Sequence, residues 1–67
     1  MLELLVNGKK RQVEGPVSIQ SLLLELKIKP GSVVVEHNGE IIDRTQWIKR
    51  PLNEKDAIEI VHFVGGG

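Results

Sequence analysis

The chain has 67 residues, of which 40% are hydrophobic and none is cysteine, so it is read as one small domain whose single modest core holds without disulfides or a thiolate metal cluster. Nine Lys and Arg balance nine Asp and Glu, which removes the basic footprint expected of a nucleic-acid binder or a ligand of anionic membranes. Apolar runs are short and no signal-peptide h-region follows Met1, so neither a membrane span nor a secretory leader is expected and the chain reads as cytoplasmic.

The first segment alternates Leu2, Leu4 and Val6 against Glu3 and Leu5, then meets Asn7-Gly8, a strong hairpin signal, before a second strand. Gly15-Pro16 breaks the pattern. Ser18 is the expected N-cap of a helix of about ten residues, because Ile19, Leu22, Leu23 and Leu26 follow at i, i+3, i+4 and i+7. Val17 is placed to reach Leu22 as a hydrophobic staple, whereas Ser21 at N3 withholds the Glu or Gln of a capping box. Lys27 and Lys29 suit the negative end of the helix, and Pro30-Gly31 is the expected stop.

Beyond it, Val33 to His37 reads as a β-branched strand, Asn38-Gly39 as a second hairpin turn, and the residues through Ile42 as a short return strand. The stretch from Asp43 to Asp56 is polar with apolar anchors at Trp47, Ile48 and Leu52, and is expected to form a loop in which Trp47 covers a core edge. Ala57 to Val64 closes the fold as a strand with Ile58 and Ile60 on one face and Val61 and Phe63 on the other.

Two hairpins separated by one helix and followed by a last strand bury their apolar faces only if the sheet wraps the helix, with the first and last strands parallel at its centre. The expected class is therefore α+β, a ubiquitin-like β-grasp roll with a mixed sheet wrapped on one helix. Residues 1–64 form the domain, and residues 65–67 form a flexible glycine tail.

Gly65, Gly66 and Gly67 offer no side chain to pack and lose the most entropy on ordering, so they contribute nothing to a core. Following the last strand at once, they make a slender arm able to thread a narrow channel in a partner, and the carboxyl group of Gly67 becomes the candidate functional group. A carboxylate is a poor electrophile and needs activation, most simply by ATP to an acyl adenylate. The chain has no phosphate-binding loop of its own, so the ATP site must belong to a partner.

Other candidates weigh less. His37 and His62 lack a ligand cluster and are read as strand residues on a solvated face, with no metal expected. Lys9, Lys10 and Arg11 are read as protection of a sheet edge. Ser18 and Ser21 have no base arranged beside them, and no catalytic machinery is recognisable. Leu5, Val61 and Phe63, with Val64, are expected on the outer sheet face as a docking patch leading to the tail.

Residues His37-Asn38-Gly39-Glu40-Ile41-Ile42, the opening Val6-Asn7-Gly8 and the ending Ile58 to Gly67, above all Ile60-Val61-His62-Phe63-Val64-Gly65-Gly66, resemble the sulfur carriers of thiamine biosynthesis, the ThiS family, over the full chain. Lys55 before Asp56 departs from relatives that carry glycine in a tight turn, and Asn53 is the residue expected to take up positive φ instead. The resemblance implies that an E1-like adenylyltransferase uses MgATP to adenylate Gly67, and that a persulfide donor replaces the activated oxygen with sulfur. Thiazole synthase then takes the sulfur from the thiocarboxylate into a ring built from deoxyxylulose phosphate and a glycine imine. It implies a protein cosubstrate with no bound cofactor, not an enzyme. The alternatives are the small subunit of molybdopterin synthase, which shares the roll but has a longer chain, and a non-covalent β-grasp adaptor with an inert tail.

Overall fold

The computed structural model describes residues 1–63. Val64, Gly65, Gly66 and Gly67, and with them the expected boundary between domain and tail, lie outside the described residues. Strands β1 (Leu2–Val6) and β2 (Lys9–Val13) pair antiparallel from Leu2↔Val13 to Val6↔Lys9. Their turn has φ of 52° at Asn7 and 82° at Gly8, the doubly positive pattern whose twist matches a right-handed hairpin. A short strand β3 (Val17–Ser18) leads into helix α1 (Ile19–Glu25).

Helix α1 differs from expectation at both ends. The Ser18 hydroxyl accepts from the Ser21 backbone N–H at 3.2 Å, and the Ser21 hydroxyl accepts from the Ser18 N–H at 2.8 Å. A serine at N3 therefore completes the reciprocal capping box that was expected to need Glu or Gln. At the other end the helix closes at Leu26, well before Pro30. Lys27 adopts φ 60°, and the N–H groups of Lys27 and Ile28 return to the carbonyls of Leu24 and Leu23 at 3.0 and 2.9 Å. This is a Schellman closure with lysine in the position glycine usually fills, so seven residues are helical where about ten were expected.

Strands β4 (Val33–His37) and β5 (Glu40–Ile41) form the second hairpin, again through a turn with φ of 52° and 87° at Asn38 and Gly39. The following segment is more ordered than a loop. Asp43 caps a 3-10 turn over Arg44–Gln46, and β6 (Pro51–Leu52) pairs with β3. Trp47 is a core residue rather than an edge cover: its ring is buried and its Nε1–H donates to the Ile42 carbonyl at 3.1 Å. Ile48 is no anchor, since it is 65% exposed.

Strand β7 (Ala57–His62) completes a five-stranded sheet in the order β2-β1-β7-β4-β5, parallel to β1 and antiparallel to β4. The helix lies across one face, where Leu4, Val35, Ile58 and Ile60 meet Ile19, Leu22 and Leu23 in one buried cluster. This is the ubiquitin-like β-grasp roll. Among the described residues no helix is long and apolar enough to cross a membrane.

The turn before β7 corrects one further expectation. Positive φ falls on Lys55, at 72°, and not on Asn53. The Lys55 N–H donates to the Glu3 carbonyl at 2.7 Å, and this contact fixes the backbone there in spite of the lysine side chain.

Candidate functional site

Alternation along the strands fixes what the outer face of the sheet presents. Ile58 and Ile60 point into the core, so Ala57, Glu59 and Val61 point away from the helix. Val61 lies directly across from Val34 on β4, and Glu59 from Glu36. Val61 is 54% exposed, Phe63 43% and Leu5 37%. Leu5 is not next to the other two. Its partner on β7 is Ala57, four positions before Val61, about 13 Å along a strand. The apolar neighbour that the sequence reading missed is Val34, whose place follows from the register of β4 on β7. Val64 and the three glycines lie outside the described residues.

Strand β7 is gripped from both flanks by the side chains of the two turn asparagines. β1 ends at Val6, short of Ile60, and Asn7 supplies the missing ladder contacts. Its Oδ1 accepts from the Ile60 N–H at 2.6 Å and its Nδ2 donates to the Ile60 carbonyl at 3.2 Å. On the other side Asn38 Oδ1 accepts from the Ala57 N–H at 2.8 Å, while its Nδ2 donates to Asp56 at 3.1 Å. An amide side chain carries both a donor and an acceptor, so it can stand in for a strand where the strand has run out. The Phe63 N–H still reaches the Ser32 carbonyl at 3.2 Å, so the strand is tied up to the last described residue.

His37 is not on a solvated face. It is 8% exposed and follows Val33 and Val35 on the core side of β4. The Arg50 Nε–H donates to His37 Nδ1 at 3.2 Å, which leaves Nε2–H to donate to Asp56 Oδ2 at 2.7 Å. Burial works to raise the Asp56 pKa, but the Asn53 backbone N–H, His37 and the Asn38 amide together hold it below the ordinary aspartate value. Asp43 is lowered too, by the Thr45 hydroxyl first and the Thr45 backbone N–H second. The His37–Asp56 pair lies at the start of β7, six residues from its end, and organises the turn there. Among the described residues no group of three His, Cys, Asp or Glu could hold a metal ion. Ser18 and Ser21 cap the helix with their hydroxyls, and the Lys9-Lys10-Arg11 run lies exposed on the edge strand β2.

The sequence model of the ThiS family matches residues 4–67. The chain is 46% identical over 50 residues to the sulfur carrier protein ThiS of Bacillus subtilis, covering 75% of this chain and 76% of that one. It is also 35% identical over 66 residues to a thiazole synthase of Paramagnetospirillum magneticum, covering 98% of this chain but 20% of that protein. The chain thus spans about a fifth of the length of the thiazole synthases it matches. The crystal structure of a thiamine biosynthesis protein (ThiS) from Geobacter metallireducens superposes with a TM-score of 0.86 at 36% identity, covering 98% of this chain and all of that one. A fold that superposes on a solved ThiS structure over nearly the whole chain and a family match that includes Gly65 to Gly67 lead to one assignment: the chain belongs to the ThiS family.

Proposed function

We propose that the chain carries sulfur for thiamine biosynthesis on the carboxyl group of Gly67, as a protein cosubstrate with no cofactor of its own. A carboxylate oxygen of Gly67 attacks the α-phosphorus of MgATP held by an E1-like adenylyltransferase, and pyrophosphate leaves. The terminal sulfur of a persulfide donor then displaces AMP from the acyl adenylate and forms an acyl disulfide. A thiol cleaves its S–S bond, leaving a thiocarboxylate on Gly67 and a disulfide on the donor side. Thiazole synthase is the acceptor. The relatives support that choice, since in the matched synthases a domain like this one makes up about a fifth of the polypeptide.

The observation that carries the proposal is the family match running through Gly65 to Gly67, which follow in sequence, after Phe63 and Val64, the strand that the fold holds at its centre. A donor arm is useful only if the body that presents it is rigid, because reacting groups must be placed within a fraction of an ångström of their productive geometry. The Asn7 and Asn38 grips on β7 supply that rigidity. Val34, Val61 and Phe63 give the partners an apolar surface beside the arm, and Val64 is assigned to the same contact.

ATP–pyrophosphate exchange tests the first step. The adenylyltransferase should exchange label only when the chain is present, and deletion of Gly67 should abolish it. Exchange at the parent rate with the truncated chain would refute activation at Gly67.

A further inference from the structure

The outer face of the sheet carries an arrangement that costs the isolated fold stability. Glu36 and Glu59 are direct cross-strand partners and both point away from the helix, since Val35 and Ile60 beside them are buried. Like charges placed opposite one another destabilise a strand pair. Neither carboxylate is neutralised within the described residues, where the ion pairs are Arg50–Glu40 and Lys55–Glu3 and the remaining close contact of this kind is the His37–Asp56 hydrogen bond. Lys10 shares the outer face but belongs to β2, two strands away from β7, opposite Leu5. On β5 and toward the end of β7 the face beside the acidic pair is aliphatic and exposed. Val34 and Val61 form the next outward pair toward the end of β7, and Ile41 is the β5 partner of Glu36.

We propose that this face is the seat of an arginine from thiazole synthase, its guanidinium bridging Glu36 and Glu59 while its aliphatic stem lies against Val34 and Val61. Directly opposed residues hold their Cβ atoms about 5 Å apart, within the span that one planar guanidinium serves with its five donors. A lysine ammonium is a point charge and bridges two carboxylates less well. Docking of a partner over this exposed aliphatic surround would exclude water from the pair and so strengthen the contact. The proposal rests on the docking role given to this face above. The synthase is the chosen occupant because matched synthases carry such a domain in the same polypeptide, which keeps the two surfaces side by side.

The test is calorimetric binding of the chain to thiazole synthase at low and at physiological salt, with the double variant Glu36→Gln/Glu59→Gln and the control Glu14→Gln, an exposed acid after β2. The double variant is expected to melt at or above the parent, because its like-charge opposition is gone, and yet to bind roughly tenfold or more weakly. Its affinity should also lose most of its salt dependence, while Glu14→Gln binds like the parent. Parental affinity and salt slope in the double variant would overturn the proposal while leaving the docking role of the face intact. Weakened binding to the adenylyltransferase alone would overturn the choice of occupant. A parent chain with no affinity for the synthase would remove the docking reading itself, and this proposal with it.

Discussion

Lys55 is the residue at which local conformation and side chain disagree most plainly. A left-handed backbone at φ 72° costs a residue with a Cβ about 1–2 kcal/mol, and the greater unfolded-state freedom of glycine returns part of that. Its ion pair with Glu3, at a long 3.9 Å and with the lysine side chain exposed, is worth little. Lys55→Gly should therefore stabilise the domain by about 0.5–1 kcal/mol, measured as a higher denaturant midpoint with unchanged slope. A lower midpoint would show that the side chain matters more than the backbone. Asp56 makes a second prediction. Its pKa is depressed in the folded state, so its stabilising contribution is complete above the unfolded value of about 3.9 and is lost as pH falls through the lower folded value. Asp43 is depressed likewise and adds to the same acid window. Asp56→Asn should give a shallower loss of stability below about pH 4 in melts recorded across that range. Neither residue was fully legible in the sequence. The positive φ was assigned to Asn53, because asparagine tolerates it and lysine does not, and only the contact between Lys55 and Glu3, distant in sequence, decides the matter. His37 was misplaced although the signal was there: it continues the alternation of Val33 and Val35, which puts it on the core face.

At the scale of elements, the helix and the last strand have separate tasks. Leu22 and Leu23 are fully buried against the sheet, so either change to alanine should cost about 2–5 kcal/mol, a large share of the stability of a small domain. Strand β7 depends on polar contacts as well. Asn7→Gly keeps the positive φ of the turn and removes the two hydrogen bonds to Ile60, at an expected cost of about 1–3 kcal/mol to which the unfolded-state freedom of glycine adds, so local exchange separates the grip from the turn. Hydrogen exchange at the Ile60 amide should accelerate more than at Val35, and equal acceleration would mean that the asparagine acts through the turn alone. The hairpins, the helix and the central strand were legible because each has its own periodicity or turn chemistry. The helix end was not, since the Schellman closure at Lys27 lacks the glycine that would announce it. The β3–β6 pair was not either, because two-residue strands have no period to detect.

For the whole molecule, the sheet order with β1 and β7 parallel at the centre followed from the need to cover one helix, and the structure has it. The adjacency of Leu5 to Val61 did not follow, because facing is set by alternation but position along a strand is set by register, and register comes only from pairing. Among the described residues the buried core runs from Leu4 to Ile60, and a glycine has no side chain to add to it. Gly66→Val should therefore melt like the parent, yet fail with the adenylyltransferase, since a β-branched side chain stiffens and widens a segment meant to pass where only backbone fits. A normal exchange rate with that variant would contradict the threading role of the glycines.

Loading of sulfur on Gly67 is read out by the intact mass of the chain after incubation with the adenylyltransferase, MgATP and a persulfide donor under reducing conditions. The parent should gain the mass of one sulfur exchanged for one oxygen, localised by fragmentation to Gly67, and the chain lacking Gly67 should gain nothing. Removal of that residue withdraws the carboxyl group by up to about 3.5 Å, far beyond what an activating geometry tolerates. An unchanged parent mass in the presence of a demonstrably active adenylyltransferase, or sulfur found anywhere but Gly67, would rule out Gly67 as the sulfur-carrying group.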